Sequence, residues 1–385
     1  MKQLQKNVGI FTANSLRFYS GGEIILINIS KGLADLGIEN TIYENESFPG
    51  PFRVDDSYLK EREIEFERAK FQPVNRFSSF FFQQIPFKKC LEINPVNLII
   101  IWRLPSRRQM KELNSSLSKK IFLLHGIGFE KLRLSPALML AYQFFMRIQL
   151  ILIRKPLLQG KNYFQVMNRL QKKILIRTGL PEDRIFLIEN GIEPEKYSAI
   201  KNNSRFNVLF IGRIENLQKG IKRLIRVAKY VKRRNDDISF TVIGGGKYSS
   251  KIKSVHLINY LGFVSEETKI AELSNANLFI MTSNTEGFPL TVLEALFSGL
   301  PVVSTPLAGV IDIMESSGDF GKMPGFSPRK IGEEVLNYYR EWKSNPDEFF
   351  KRKVSRSYNS KEKFDQEKMI MKYYDMINKV LSARL

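Results

Sequence analysis

The sequence predicts an α/β protein built from two doubly wound parallel-sheet domains, and three observations predict it. Short apolar runs of strand length recur along the chain, among them Val8–Phe11, Ile121–Leu124, Val208–Ile211 and Val302–Ser304. Such near-continuous runs mark strands buried on both faces. Glycine-bearing turns and amphipathic helices follow several of them, the alternation that builds parallel sheets. At 385 residues the chain is too long for one compact core and suits two domains.

Apolar residues make up 43% of the chain, enough for sizeable cores. The single cysteine, Cys90, excludes an intramolecular disulfide, and His125 and His256 are too far apart to suggest a zinc cluster. The basic start Met1–Lys6 precedes an apolar run of only a strand's length, too short for a secretory signal, so a cytoplasmic location is expected. Sixty Lys and Arg against 39 Asp and Glu give a net charge of +21, which calls for an anionic partner. Residues 131–181 hold ten Lys or Arg and no Asp or Glu, within the most apolar part of the chain. That mixture points to an anionic membrane surface rather than to nucleic acid.

In chain order, Val8–Phe11 reads as a first strand, with a turn at Ser20-Gly21-Gly22 and a helix that Gly37 stops. Glycines there let the backbone approach an anionic ligand at a helix N-terminus, although an ordinary turn has the same sequence. The cluster Phe77, Phe80, Phe81 and Phe82 reads as core or as an exposed lipid or acceptor face. Val96–Trp102 and Ile121–Leu124 are further strands, the second ending at His125-Gly126. An isolated histidine at a strand's carboxyl end is either a satisfied structural residue or one that faces ligand.

Leu134–Ile153 has the length of a membrane span. Arg147 inside it, at about 2.5–3.5 kcal/mol if centred, and the position of Pro136 argue against a crossing. So does topology, since a crossing would separate strands of one sheet. A helix partly inserted in an anionic leaflet, with Arg154, Lys155 and Lys161 behind it, is favoured over a core helix. Ile185–Ile188 is another strand, closed by Asn190-Gly191-Ile192-Glu193-Pro194.

The second half opens with Val208–Ile211, then Gly212-Arg213-Ile214, Lys219-Gly220 and a helix with one apolar and one basic face. The basic face reads as solvated charge, whereas Arg213 and Lys219 flank the loop after a strand. Ile238–Ile243 leads into Gly244-Gly245-Gly246, a weak phosphate-turn signal without the Walker pattern. His256 reads as a surface residue. Leu278–Met281, the turn through Glu286-Gly287, a helix entered at Pro289 and stopped by Gly299, and Val302–Ser304 form one strand–helix–strand unit. Glu286 stands at the mouth of that unit and Glu294 inside its helix, with seven residues between them. All-helical spacing would separate them by roughly 12 Å, wider than a hydrolytic carboxylate pair. Two contacts on a long ligand, or simply a loop residue and a solvated helix residue, fit that spacing. The last helix presents Ile370, Tyr373, Ile377 and Val380 at helical spacing as core.

Glu286-Gly-Phe-Pro-Leu290, Glu294 and Ser298-Gly-Leu-Pro-Val-Val-Ser304 resemble the signature of family 4 glycosyltransferases (group 1, GT-B fold, retaining). The resemblance implies two Rossmann-like domains facing a cleft, an acceptor domain at 1–198 and a nucleotide-sugar domain at 199–364. A C-terminal helix at 365–385 would pack back on the first domain. It implies a donor diphosphate at Arg213 and Lys219, the donor sugar at Glu286, the Gly287, Phe288, Pro289 and Leu290 stretch and His125, and the ribose at Glu294. Gly21 and Gly22 would lie near the diphosphate and acceptor, Gly244 would face the nucleotide and Val264 the base, while Asp312 stands where the family has Glu. His125, Glu286, Arg213 and Lys219 are the expected catalytic set.

The activity implied is transfer of a sugar from a UDP- or GDP-sugar to an acceptor hydroxyl, on a lipid-linked or polysaccharide envelope glycan. No metal and no cofactor are expected, since no Asp-x-Asp pair occurs and fixed cations stabilise the leaving diphosphate. The expected place is the inner face of the plasma membrane, held peripherally. Two other readings stay open. One is an epimerase or phosphorylase on the same fold; the other is a non-enzymatic basic protein that binds a membrane or nucleic acid.

Overall fold

The computed structural model describes residues 7–12, 15–18, 21–45, 54–69, 96–102, 107–124, 157, 162–200, 205–316 and 319–383. His125, the aromatic cluster at 77–82 and the apolar segment 134–153 lie outside the described residues. The chain forms two compact units, one holding described residues up to Asn190 together with Glu367 onward, the other Gly191–Gln366.

The first unit is a seven-stranded sheet in the order β3-β2-β1-β4-β5-β6-β7. Its strands are β1 (Asn7–Phe11), β2 (Glu39–Asn45), β3 (Phe66–Ala69), β4 (Leu98–Trp102), β5 (Lys119–Leu123), β6 (Asn162–Val166) and β7 (Ile185–Leu187). All pair in parallel, with β1 between β2 and β4: Phe11 faces Tyr43 on one side and Ile101 on the other. One side of the sheet is packed by Phe11, Ile99, Phe122 and Phe164, which are buried together. The helix Gly21–Asp35 follows β1.

The last helix, Gln366–Ser382, packs into this unit. A side chain on Gly32 would meet Ile370 at 2.4 Å, so the missing Cβ makes room for it. Lys119 Nζ donates to the carbonyls of Val380 at 2.9 Å and Leu381 at 2.8 Å, and to that of Ala383. These are end-of-helix carbonyls with no intrahelical partner, and a cation there also answers the negative end of the helix dipole.

The second unit is a six-stranded parallel sheet in the order β10-β9-β8-β11-β12-β13. Its strands are β8 (Asn207–Ile211), β9 (Ser239–Ile243), β10 (Asn259–Gly262), β11 (Leu278–Met281), β12 (Val302–Ser304) and β13 (Gly321–Lys322). Helices Ile221–Lys232 and Pro328–Ser344 pack against each other and bury Leu224, Val227, Val231, Ile331 and Val335 with the strands. Phe206 closes this core against the rings of Tyr339, Trp342 and Phe349. Gly299 stops the helix Leu290–Phe297 in a left-handed conformation, φ +77°. That stop returns the chain to the sheet as β12.

Two buried basic side chains tie the helix Pro346–Lys363 to this unit. Arg356 donates to the carbonyl of Gly299 at 2.8 Å and to the Asp319 carboxylate at 2.8 Å. Lys353 Nζ donates to the carbonyls of Ile200, Ser274 and Ala276 at 2.8 to 3.0 Å. Among the described residues no helix is long and apolar enough to cross a membrane.

Candidate functional site

Each sheet reverses its strand order beside its first strand, β1 in one and β8 in the other, and ligands of open α/β sheets sit at that reversal, beyond the carboxyl ends of the strands. In the second unit the loops that meet there are Gly212–Gly220 after β8 and Thr282–Pro289 after β11. The first loop is folded on itself by Glu215, whose carboxylate accepts the amide N–H of Leu217 at 2.8 Å and of Lys219 at 3.1 Å. Asn284 stitches the second loop to the first. Its side chain donates to the carbonyls of Asn216 and Leu217, and its own N–H to the carbonyl of Gln218 at 2.6 Å.

Gly220 sits at φ +67°, and a Cβ there would lie 2.1 Å from the Thr282 carbonyl oxygen. Only glycine meets both conditions. The tight turn that results aims Lys219 at Glu286, with Nζ to Oε1 at 2.7 Å, and Ser283 Oγ donates to the same oxygen at 2.7 Å. The two side chains are 14% and 7% exposed, so the pair is largely withdrawn from water.

Glu286 is followed by Gly287, whose carbonyl would be 1.9 Å from a Cβ on Gly309. Helix Ala308–Met314 therefore abuts the turn at a spot that admits no side chain. Phe288 is buried edge-on to Phe364, with centroids 5.9 Å apart. Pro289 is the residue before the helix, with φ −76° and ψ 115°, and Leu290 opens it. The sequence placed Pro289 inside the first turn; its extended ψ makes it the cap instead.

Glu294 is buried in that helix, which overturns the reading of a solvated helix residue. Lys269 Nζ bridges Glu294 Oε1 at 2.8 Å and Glu266 Oε1 at 2.9 Å. Burial works against the Lys269 ammonium, but the two carboxylates outweigh it and hold its pKa above the usual value. Burial, and then the charge of Glu294, push the Tyr197 phenol well above its ordinary range. The second oxygen of Glu294, Oε2, is buried without a hydrogen-bond partner among the described residues. A carboxylate oxygen in that state would be satisfied by a donor from a ligand.

Arg213 is exposed and its guanidinium donates to the Gln218 side chain. Gly244 follows β9 with its Cα hydrogen against the Gly212 carbonyl, where a Cβ would lie 2.0 Å away. Val264 follows β10, half-buried, and His256 is exposed. The second unit therefore brings Arg213, Lys219, Gly244, Glu286, Gly287 to Leu290 and Glu294 to the carboxyl ends of its strands. In the first unit Gly21 and Gly22 open a helix, and Gly22 packs on the Trp102 ring at the end of β4, where a Cβ would lie only 3.3 Å from Cζ2 and press on the ring. Among the described residues no group of three or more His, Cys, Asp or Glu side chains could hold a metal ion.

Three residues at this site carry no sequence signal. Asn284 and Lys269 are ordinary polar residues until the strand order brings their partners to them. Arg223 corrects the reading of the basic helix face as solvated charge: its guanidinium donates to the carbonyls of Phe326 at 3.1 Å and Thr282 at 2.5 Å, and to Asn284 Oδ1 at 2.9 Å.

Residues 205–339 match a family model described as glycosyl transferases group 1. The chain is 28% identical over 164 residues to the amylovoran biosynthesis glycosyltransferase AmsK of Erwinia amylovora, covering 39% of this chain and 40% of that protein. To the O-antigen biosynthesis glycosyltransferase WbnH of Escherichia coli it is 24% identical over 173 residues, covering 44% and 49%. The chain thus spans less than half the length of these curated relatives. Sucrose-phosphate synthase from Thermosynechococcus elongatus matches 98% of this chain and 100% of its own at a TM-score of 0.76 and 15% identity. Anabaena HepE, solved in complex with UDP and glucose, matches 97% and 100% at a TM-score of 0.71 and 15% identity. Two parallel-sheet units with these neighbours make the fold GT-B.

Proposed function

We propose that this chain is a retaining, metal-independent group 1 glycosyltransferase of family 4, moving a sugar from a UDP- or GDP-sugar to a hydroxyl of an envelope glycan. The observation that carries the reading is the convergence of Lys219 and Glu286 at the strand-order reversal of the second unit, 2.7 Å apart and largely buried. A cation held in place by a carboxylate is oriented before any ligand arrives, which is what stabilising a developing charge requires.

In this reading Lys219 and Arg213 take the donor diphosphate, and Gly244 keeps the neighbouring backbone open to it. The sugar lies on Glu286 and the Gly287–Leu290 turn. Glu294 Oε2, buried and without a described partner, accepts a ribose hydroxyl. Val264 lies near the base.

The bond between the anomeric carbon and the diphosphate oxygen breaks as the acceptor oxygen bonds to the same face of that carbon. The acceptor proton passes to the departing diphosphate, and Lys219 and Arg213 hold the charge that this oxygen gains. The acceptor is a lipid-linked or polysaccharide chain, in keeping with relatives named for amylovoran and O-antigen biosynthesis. The place of action is the cytoplasmic face of the membrane, held peripherally by the basic, apolar stretch at 131–181.

The test is a thermal-shift series with UDP, GDP, ADP and CDP in EDTA, on the native chain and on Arg213→Gln/Lys219→Met. A ligand that binds only the folded state raises the melting temperature by mass action. One nucleotide should stabilise the native chain and lose most of its effect on the double variant. An equal shift in both, or none in either, would remove the reading.

A further inference from the structure

A cleft of about 530 Å³ opens in the second unit beside the donor loops. Among the residues that line it are Lys222, Arg223, Arg226, Asn216, Phe326 and Ser327, and among the described residues no carboxylate is in its lining. It meets the proposed donor site only through Asn216, Gly220 and Asn284; Lys219, Glu286 and Glu294 are not part of it.

Lys222 and Arg226 lie four residues apart on the helix Ile221–Lys232, about 6 Å along its axis, so both side chains rise on one face. Both are exposed, and no described carboxylate forms a salt bridge with either. This is unlike Lys232 on the same helix, which pairs with Asp236 at 2.8 Å. Arg223 is fixed between them by its bonds to Thr282, Asn284 and Phe326. The opposite wall is Phe326-Ser327-Pro328, where the 17-residue helix Pro328–Ser344 begins, and the positive end of its dipole adds to the same field. Lys222 and Arg226, without a described salt-bridge partner, and the fixed Arg223 guanidinium surround a concave volume, an arrangement that selects a compact polyanion.

We propose that this cleft is a second anion site, which binds a phosphate monoester or diphosphate group through Lys222 and Arg226 with Arg223 as its fixed floor. Its shape favours a soluble phosphate compound over a lipid headgroup, since the cations line a recess rather than a flat face.

The test is calorimetric titration of inorganic pyrophosphate into the full chain at low ionic strength. The variants are Lys222→Gln/Arg226→Gln and, as a control of equal charge change at the other end of the same helix and its C-cap, Lys229→Gln/Arg233→Gln. All four positions are exposed, so folding is retained, and circular dichroism checks it. The first variant should weaken pyrophosphate binding about tenfold or remove one class of site, while the control changes it by less than about twofold. A parallel arm uses sedimentation with vesicles of phosphatidylcholine and phosphatidic acid. A loss confined to pyrophosphate assigns the site to a soluble phosphate, and a loss in both arms, or in vesicles alone, to a headgroup.

Equal losses in both variants, or none in either arm, overturn the proposal. If Arg213→Gln/Lys219→Met abolishes pyrophosphate binding while Lys222→Gln/Arg226→Gln leaves it intact, the second site fails and the donor site stands.

Discussion

Breaking the Lys219–Glu286 pair by Lys219→Met should leave a carboxylate nearly out of water without its cation, with Ser283 still donating to it. At an effective dielectric of about 20, two unit charges 2.7 Å apart attract by about 6 kcal/mol. Desolvating both ions returns several kcal/mol of this, and removing one partner of a fully buried pair costs about 3–5 kcal/mol. Exposed pairs are worth about 1 kcal/mol or less. Side chains exposed by 14% and 7% stand nearer the buried limit, so the coupling should be about 2–3 kcal/mol. The assay is a double-mutant cycle of Lys219→Met, Glu286→Gln and both, each unfolded in urea at pH 7.5. Lys219→Met should be the worse single change, because it strands a charge, and Glu286→Gln should rescue part of it. A coupling below about 0.5 kcal/mol, or one that vanishes on raising the salt to 0.5 M as a screened surface pair would, refutes the claim of a preoriented, dehydrated cation.

Three further outcomes follow from the same geometry. Gly220→Ala puts a Cβ 2.1 Å from the Thr282 carbonyl in a left-handed conformation; it should cost more than about 2 kcal/mol in urea unfolding and abolish the nucleotide-dependent melting shift. Lys119→Met removes the ammonium that caps the last helix; a loss of about 1–2 kcal/mol and faster amide hydrogen exchange over Lys379–Ala383 are expected. Burial, with Arg356 adding its charge, pushes Lys353 down to about 7. The folded chain therefore releases that proton before the unfolded chain does. Below pH 7 the two states bind it alike, and stability from this group rises as pH climbs from about 7 towards the ordinary lysine value. Between pH 7 and 9 the native chain should gain about 1–3 kcal/mol relative to Lys353→Met, read from urea midpoints of both proteins at each pH.

A strand buried on both faces by apolar side chains names itself, and Leu278–Met281 and Val302–Ser304 lie where their apolar runs place them. β2 and β6 escape that reading because each buries polar side chains that the fold, not the run, satisfies. In β2, Asn40 donates to the Ser30 carbonyl at 3.0 Å and Glu44 accepts from Ser15 at 3.0 Å. In β6, Gln165 donates to the Ile188 carbonyl at 2.8 Å. A sequence shows the cost of burying such groups and hides the partner that offsets it.

The site divides along the same line. Lys219 and Glu286 are each legible as residue types at loop ends. Their pairing depends on β8 and β11 being neighbours, and these two strands are separated in sequence by β9, β10 and three helices. Lys222, Arg223 and Arg226 sit within five residues of one basic helix face, and no periodicity separates them. Only the carbonyls of Thr282 and Phe326, delivered by distant segments, turn Arg223 into a fixed part of the loops and leave the other two facing the cleft. Charge counted along a helix is therefore a statement about the chain. What each charge does is a statement about which loop ends the sheet order places against it.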